Sequence, residues 1–351
     1  MENRTAALPA TRLPLWFSGK GNDADVVIST RIRLARNCSL YPFPHRASLL
    51  QRKHVFETVA DAFRDSPQYN SFECVNFIEL TRTEQQFLVE ERIASPDLIT
   101  ADGDRGVIFN GTGRITILVN EEDHIRLQCM DAGCCPLDLW NTIDGIDDDI
   151  GMRVSMAFDN CRGFLTSSPA NSGTGLRVSF LMHLPALILT KTIDQILLGA
   201  SQMGVSTCGF SHEHWTVTGS LFQISNVATI GATESECLNS TLNVIRKVIE
   251  FERAARQQIL NEAHAELLDK INRAYGILAH ATMLDIDEFL NLSSALRLGI
   301  ECTLFNSLTI SQLNRLTLLV MPAHLQKLNK HEMTDNELRS ARAKLVRHVI
   351  G

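Results

Sequence analysis

The feature that most constrains the fold of this chain is a change of hydrophobic pattern near Val244. Before it, from about residue 25, short β-branched apolar runs such as DVVIST, CVNFIEL and RITILV alternate with helical patterns. Beyond it, apolar residues recur at helical spacing for about a hundred residues, with little glycine. The pattern predicts an α+β protein, in which a mixed domain is followed by an all-helical one.

We predict three segments along the chain. Residues 1–24 form an extended lead-in with proline and glycine, residues 25–254 the mixed domain, and residues 255–351 the helical domain. Within the mixed domain, we interpret GLRVSFLMHLPALIL, residues 175–189, as a helix kinked at Pro185. A chain of 351 residues with 44% hydrophobic content is long enough for two domains and supports a sizeable core.

The charge and the cysteines exclude several classes of protein. A formal net charge of −7 gives no bulk attraction to polyphosphate, so nucleic acid is a poor candidate partner and an anion site needs locally gathered arginines. We expect a soluble cytoplasmic protein without a membrane partner, since no signal peptide or membrane-length apolar run is seen. The nine cysteines form no C-x-x-C pair, which favours reduced thiols; vicinal Cys134 and Cys135 are a weak metal candidate.

Arg31 and Arg33 lie two positions apart in VVISTRIRLAR, which has the character of a strand. Side chains alternate along a strand, so both arginines share one face while Ile32 and Leu34 point to the other. Two guanidinium groups on one face can clamp a polyphosphate, because each offers planar donors and a permanent charge. Surface arginines on a solvated strand edge are the alternative, and this segment taken alone favours that alternative.

The run RITILVNEEDHIRLQ joins a strand pattern to an acidic cluster. If the extended geometry persists, the side chains that share one face are those of Asn120, Glu122, His124 and Arg126. Glu121 and Asp123 then point the other way, which favours Glu122 as the working carboxylate. A polar turn between two strands is the alternative.

The small-residue loop SSPANSGTG, residues 167–175, precedes the predicted helix. Free N–H groups and the dipole at a helix N-terminus favour anions, and Arg177 in the first turn would add a charge to the same anion. The loop lacks the spacing of a Walker P-loop. From the loop alone, an ordinary strand-to-helix connection is equally well supported.

A second glutamate, Glu213, lies between two histidines in CGFSHEHWT. The pair His212 and His214 suggests a metal site, but no third ligand follows at a recognisable spacing, so no metal site is predicted.

These segments, in this order, resemble the shared motifs of the phosphagen (guanidino) kinase family, most closely its bacterial protein-arginine kinase branch. The family segments S-x-R-x-R, N-E-E-D-H-x-R, C-P-x-N-x-G-T-G and R-G-x-x-G-E correspond to residues 29–33, 120–126, 168–175 and 208–213. The run FQISNVATIGATE resembles a further shared stretch, so the resemblance is good over residues 16–250 and looser in the helical tail. It implies a catalytic domain built on a mainly antiparallel sheet flanked by helices.

The resemblance implies an ATP:guanidino phosphotransferase that uses ATP and Mg²⁺. The phosphates would be held by Arg31, Arg33, Arg126 and Arg177. The implied nucleotide-binding positions further comprise Ser29, Thr30, Ile32, Arg92, Val178, Ser179, Phe180, Leu181 and Cys208. Glu122 and Glu213 would bind the acceptor guanidinium, which is a poor nucleophile until it is oriented and relieved of a proton.

The chain departs from the family pattern at three positions. Ser168 stands where the family has a cysteine, so a neutral hydroxyl replaces a thiolate. Cys208 stands where the family has an arginine, which leaves four phosphate arginines in place of five. Arg92 stands where a histidine is expected, and we interpret it as restoring part of the lost positive charge.

The arrangement of segments favours a protein acceptor. Only 28 residues precede Ser29. The resemblance implies that kinases of small guanidines carry a helical domain before the corresponding strand. The helical mass follows the catalytic region here, as in protein-arginine kinases. Two alternatives stay open: a kinase of a small free guanidino compound, and a catalytically weakened adaptor that binds clients or phosphoarginine.

The resemblance implies further partners and a cellular role. These are a zinc-binding activator protein, a Clp-type protease, a homodimer, and a role in stress response and protein quality control. The family's phosphoarginine-binding motif R-D-x-x-R-A is half retained at residues 338–343, which makes Arg342 a candidate contact. An ordinary amphipathic helix explains this segment equally well.

Overall fold

In the computed structural model, which describes residues 13–209 and 217–351, an antiparallel sheet of eight strands forms the centre of the molecule. Its strand order is β2-β3-β4-β5-β1-β8-β10-β9, and β6 pairs separately with β7. The strands are β1 Val27–Arg36, β2 Phe72–Asn76, β3 Gly106–Asn110, β4 Ile115–Val119, β5 Ile125–Ala132, β6 Phe158–Asp159, β7 Gly163–Phe164, β8 Leu176–His183, β9 Val205–Gly209 and β10 Leu221–Asn226.

Helices flank this sheet and make up the last third of the chain, as the sequence predicts. They are α1 Leu49–Arg64, α2 Arg82–Glu90, α3 Pro96–Thr100, α4 Pro136–Gly151, α5 Pro185–Leu189, α6 Ile193–Gln202, α7 Glu234–Glu262, α8 His264–His280, α9 Ile286–Glu301, α10 Ile310–Leu319, α11 Pro322–Asn329 and α12 Asp335–Ile350. Helices α1, α7, α10 and α12 each begin with a capping box, which satisfies free N–H groups of the first turn. None of the helices in the described ranges has the length and apolar character needed to span a membrane.

The two faces of the sheet carry different kinds of side chain. The core face carries Ile32 and Leu34 of β1, both fully buried, and packs against α1, α4 and α7. The opposite face carries Arg31 and Arg33, and we call it the arginine face. Helices α2 and α3 cover only its β3–β4 end, through a separate apolar cluster that includes Leu118. The central strands therefore present polar side chains on a face that is only partly covered.

The predicted helix over residues 175–189 is wrong, because most of this run forms strand β8. Val178, Phe180 and Met182 enter the main core, whereas Leu181 packs on the arginine face beside Trp16. The strand has the period of two, since Leu176, Val178 and Phe180 alternate with Arg177 and Ser179. Leu181 and the apolar residues of the following α5 extend the run and obscure that period. The proline is the first residue of α5 and does not kink a longer helix.

The segments predicted at the two ends of the mixed domain are packed against it. In the lead-in, Trp16 and Phe17 are buried in a short 3₁₀ turn, and the Phe17 carbonyl accepts a hydrogen bond from Asn314 of α10 at 2.7 Å. The predicted boundary at residues 254 and 255 falls inside the continuous helix α7, where Arg253 forms an ion pair with Asp25. The division into domains stays a prediction, but the helical region and the sheet share contacts along α7.

Candidate active site

Strand β1 contributes two arginines to the candidate site. Arg31 and Arg33 alternate with buried Ile32, so both lie on one face, as the strand pattern predicts. The antiparallel register places Arg177 of β8 directly opposite Arg33, and Ser179 opposite Arg31. Since opposed residues of an antiparallel pair project to the same side, Arg177 joins the two arginines from the neighbouring strand.

Two more arginines reach this group from other elements. Arg126 of β5 lies opposite Ala35 of β1 and so projects to the arginine face. Arg92, in the turn after α2, lowers the pKa of Arg31 by its charge, as do Arg126 and Arg177. We call this set the arginine cluster: Arg31, Arg33, Arg92, Arg126 and Arg177.

The arginine cluster carries more positive charge than its surroundings neutralise. Burial, followed by the neighbouring guanidinium charges, lowers the pKa of Arg31 to about 9 and that of Arg33 well below its usual value. Arg31 donates to the neutral amide of Gln223 at 2.9 Å. Within the described ranges, no carboxylate lies within ion-pair distance of Arg31, Arg33 or Arg177, and the buried Nε atoms of Arg33 and Arg177 have no hydrogen-bond partner. A polyanion would satisfy both deficits.

A small, partly open cleft lies beside this charge. Its walls are formed by Trp16, Ser29, Arg31, Arg92, Met130, Ser179, Leu181 and Gln223. Five of these were implied by the resemblance, whereas Trp16, Met130 and Gln223 were missed. Strand alternation in FQISN would have paired Gln223 with Ser225 on one face, but only the register shows that this is the arginine face.

Four of the implied nucleotide-binding positions have side chains that point away from this cleft. Ile32, Val178 and Phe180 are fully buried in the main core, on the opposite face of the sheet. Thr30 is also on that face, and its hydroxyl donates to the Gly133 carbonyl at 2.6 Å. The side chains of these residues are therefore not available to a ligand on the arginine face.

Cys208 lies in β9, at the position where the resemblance leads us to expect an arginine. It lies opposite Gln223 of β10 and on the arginine face. Burial raises the pKa of its thiol, although the charges of Arg177, Arg31 and Arg33 act in the other direction. The missing guanidinium therefore leaves a neutral thiol next to the cluster.

The N-E-E-D-H segment is a turn between β4 and β5, so the alternative of a polar turn between two strands is confirmed and the extended geometry does not persist. Asn120 has a φ of 58°, a left-handed conformation that breaks the strand. The Asn120 amide donates to the carbonyls of Arg52 and Asp104, each at 2.7 Å, which holds the turn in place. Side-chain direction in this segment is thus set by the turn and not by alternation.

The turn places the side chains of the two glutamates in different environments, one buried and one partly exposed. The Glu121 side chain is fully buried, with Oε2 at 2.5 Å from Nη1 of Arg126, and it also accepts a hydrogen bond from Ser95. The Glu122 side chain is 43% exposed, with Oε2 at 3.2 Å from Nη2 of Arg126. Burial is the main cause that raises the pKa of Glu122. Glu122 is the carboxylate that remains accessible, while Glu121 holds an arginine of the cluster.

Asp123 and His124 hold the turn against the small-residue loop. Asp123 Oδ1 accepts hydrogen bonds from the Asn37 amide and from the Ser167 main-chain N–H, each at 2.7 Å. Burial lowers the pKa of His124 to about 4, so the ring is neutral and its Nδ1 accepts from the Cys38 N–H. A buried carboxylate therefore links the segment of Glu122 to the loop of Ser168.

We predict that Asp123→Ala lowers the free energy of unfolding by about 3 kcal/mol, because two buried donors lose their acceptor at roughly 1–3 kcal/mol each. Activity should fall too, since both loops lose their shared anchor. Denaturant titration of the variant measures the stability change. The matched control, Asp269→Ala on the exposed surface of α8, should stay within about 0.5 kcal/mol of the parent; equal stabilities for the two variants would contradict the prediction.

The small-residue loop leads into strand β8, and not into a helix, so the predicted helix N-terminus for the anion is absent there. Ser168 precedes a short 3₁₀ turn, and its carbonyl accepts a hydrogen bond from the Thr166 hydroxyl at 2.7 Å. Gly173 has a φ of 98°, and a Cβ there would lie 2.2 Å from the Thr229 carbonyl oxygen. The loop thus packs too tightly against the β10–α7 connection for a larger residue.

Glu213 of the predicted site lies outside the part of the chain that the structure describes, as do His212 and His214, for which no metal site is predicted. Elsewhere in the described ranges, no group of three His, Cys, Asp or Glu side chains is arranged to hold a metal ion. Arg342, the candidate phosphoarginine contact, is 4% exposed and donates to the carbonyls of Val320 and Leu284. Its guanidinium therefore joins α12 to neighbouring segments of the helical region.

Comparison with known proteins gives two family matches. Residues 54–255 match the model described as ATP:guanido phosphotransferase, C-terminal catalytic domain. Residues 264–351 match the model described as protein-arginine kinase McsB C-terminal domain.

Full-length relatives agree with these matches. The chain is 38% identical to a protein-arginine kinase of Moorella thermoacetica, over 95% of this chain and 97% of the relative. It is 37% identical to one of Halothermothrix orenii, over 95% of each chain. It is 36% identical to one of Bacillus subtilis, over 95% of this chain and 93% of the relative.

Solved structures share the fold at lower identity. A lombricine kinase superposes with a TM-score of 0.59 and 22% identity, over 71% of each chain. The duplicated taurocyamine kinase of Schistosoma mansoni superposes with a TM-score of 0.60 and 20% identity, over 73% of this chain. The match spans 39% of the length of that duplicated protein.

Proposed function

The chain belongs to the ATP:guanido phosphotransferase family, and from this premise we propose that it transfers the γ-phosphoryl group of ATP to arginine side chains of proteins. The observation that carries the proposal is the arginine cluster, which gathers five guanidinium groups beside a cleft lined by Arg31 and Arg92, in a protein of net charge −7. Phosphoryl transfer depends on positioning and charge neutralisation, which such a cluster supplies.

In this proposal, the arginine cluster holds the phosphates of ATP. Arg33 and Arg177, opposed across β1 and β8, offer their unpaired Nε donors to the phosphate oxygens. Arg92 adds a charge beside Arg31, which offsets the neutral Cys208. Mg²⁺ would enter with the nucleotide, since it binds substrate phosphates and keeps several waters, needing few protein ligands.

Glu122 is proposed to bind and deprotonate the acceptor guanidinium. Its side chain is accessible and lies next to Arg126 of the cluster, so a guanidinium bound there is close to the phosphate site. A raised pKa brings a carboxylate nearer to the operating pH of a general base. Glu213 and Ser168 are proposed to flank the same guanidinium, as the family motifs imply.

A protein acceptor is supported by the C-terminal family match at residues 264–351 and by the full-length relatives. Roles in stress response and protein quality control, the activator protein, the Clp-type protease and the homodimer stay predictions. A cytoplasmic location is also proposed, and it is supported by nine cysteines that are all free thiols.

Mass spectrometry tests the proposed function directly. The full-length protein is incubated with ATP, Mg²⁺ and a protein close to its melting temperature, and peptides are prepared at neutral pH. We expect acid-labile phosphoarginine on the added protein. Its absence under all conditions, including with a zinc-binding activator protein, would contradict the proposal. Faster phosphorylation of free arginine than of protein arginine would contradict the proposed acceptor.

A further inference from the structure

A buried histidine of the helical region lies between two carboxylates of the catalytic region. His324 is in the first turn of α11, and its side chain is fully buried. Its Nδ1 lies 2.8 Å from Oε2 of Glu90, and its Nε2 lies 3.0 Å from Oε1 of Glu91. Both glutamates are buried at the end of α2. We call these three residues the His324 clamp.

The geometry indicates that the His324 clamp contains an imidazolium. Both ring nitrogens face carboxylate oxygens, which only accept hydrogen bonds when ionised, so both nitrogens must donate. Glu90 also accepts the main-chain N–H groups of Ala323 and His324, at 2.9 and 3.1 Å, at the N-terminus of α11. These two donors and the helix dipole favour an ionised Glu90. The clamp is thus a charge-assisted link between α2 and α11.

One residue of the His324 clamp directly precedes an arginine of the arginine cluster in the sequence. Glu91 is followed by Arg92, whose φ of 64° is left-handed and turns the chain out of α2 toward the cleft. On either side of this turn, Trp16 donates to the Glu91 carbonyl at 3.2 Å and Gln128 donates to the Arg92 carbonyl at 2.8 Å. The main chain at Arg92 is therefore fixed from the cleft side, and the clamp fixes it from the helical side.

We propose that His324 is a positioning residue for phosphoryl transfer: by holding Glu90 and Glu91 it sets the position of Arg92 in the ATP cleft. The proposal rests on the proposed function in one respect, namely that the anion bound by the arginine cluster is ATP. It makes α11 of the helical region a component of nucleotide binding, although His324 does not itself line the cleft.

A merely structural role for His324 makes a different prediction from a positioning role. If the clamp only stabilised the fold, its loss would weaken ATP binding by the same factor whether or not Arg92 is present. If it acts through Arg92, its effect on ATP affinity must disappear when Arg92 is removed. The two roles are separated by a double-mutant cycle between positions 324 and 92.

The pH dependence supplies a second distinction. Burial alone would lower the pKa of His324, but the hydrogen bonds and charges of Glu90 and Glu91 outweigh it and raise the pKa. The clamp is complete below that raised pKa and is lost as the pH increases through it. Charged groups packed near the clamp include Lys327 of α11, which lies over the Phe87 ring, and Arg342 of α12, which acts on Glu90.

The test measures the dissociation constant for ATP by calorimetry on the full-length protein. We expect His324→Gln to raise that constant about tenfold at neutral pH in the parent, and less than about twofold in Arg92→Ala. Glu91→Gln, which keeps the side-chain volume, should show the same dependence on Arg92 and serves if His324→Gln does not fold. The matched control is His331→Gln, an exposed histidine beyond α11, which should not change ATP affinity.

Two further readouts complete the test. The advantage of the parent over His324→Gln should shrink as the pH rises through the raised pKa of His324. Unchanged ATP affinity in both clamp variants, or an equal loss with and without Arg92, would overturn the positioning role. These measurements need no phosphoarginine product, so coupling in a protein that phosphorylates nothing would refute only the proposed function. A parent that does not bind ATP would refute both.

Discussion

Replacing Arg177 by methionine is expected to lower the rate of arginine phosphorylation by about 10³-fold or more without lowering the melting temperature. Arg177 is opposed to Arg33 across two central strands, and its Nε is buried without a partner in the described chain. In the proposed complex it neutralises charge on the phosphoryl group. In the free protein its charge acts against Arg31 and Arg33, so its removal relieves repulsion.

A single-turnover assay and a thermal melt of the same variant measure the two halves of this prediction. Arg64→Met is the matched control, because Arg64 is a largely exposed arginine on α1, and its activity should equal that of the parent. Arg177→Lys should recover only part of the rate, since an ammonium group lacks the planar fork of donors. An Arg177→Met protein with parental activity would exclude Arg177 from the phosphate site.

The second large effect is expected from Glu122→Gln, which should lower the phosphorylation rate by about 10²–10⁴-fold. The amide keeps the size of the side chain but cannot accept the proton of the guanidinium. Because the partly exposed Glu122 shares Arg126 with buried Glu121, the position of Arg126 is retained. The dissociation constant for ATP should therefore change little, which separates this loss from that of Arg177→Met.

The pH profile gives an independent check on Glu122. Burial raises the pKa of its carboxyl group, and the base is active only when ionised, so the rate should fall as the pH decreases through that raised pKa. The acidic limb should be absent from the residual activity of Glu122→Gln. Glu73→Gln, on the exposed edge strand β2, is the matched control and should keep the parental profile. A parental acidic limb in Glu122→Gln would assign that limb to another group.

Alternation along a strand was sufficient for β1 because only one of its faces is continuously apolar. Ile32 and Leu34 enter the core, while Arg31 and Arg33 lie opposite, so the sequence period matches the structure. For β8 the helix interpretation was wrong although the start of the strand alternates in the same way, with Val178 and Phe180 on the core face and Ser179 opposite. The apolar residues of β8 and α5 follow one another as a single long run, and only the structure shows that the run is divided into a strand and a short helix.

Alternation also selected Glu122 as the accessible carboxylate, but the backbone geometry assumed for that selection is not the one observed. The sequence favoured Glu122 over Glu121 on the assumption of an extended chain, whereas Asn120 starts a turn. The choice between the two glutamates depends on the buried ion pair of Glu121 with Arg126, and on the links that Asp123 makes to a loop some forty residues away. The links of Asp123 join distant segments, so a local pattern does not contain them.

By itself, the sequence determined the α+β order of the chain, the shared face of Arg31 and Arg33, and the motifs of an ATP:guanido phosphotransferase, because periodicity and motif spacing are local properties. Only the tertiary structure decided that Trp16 and Gln223 line the cleft beside Arg31, that Arg342 is buried, and that His324 reaches Glu90 and Glu91. These outcomes depend on strand register and on helix packing between distant segments, where burial fixes both the partners and the charge of each side chain.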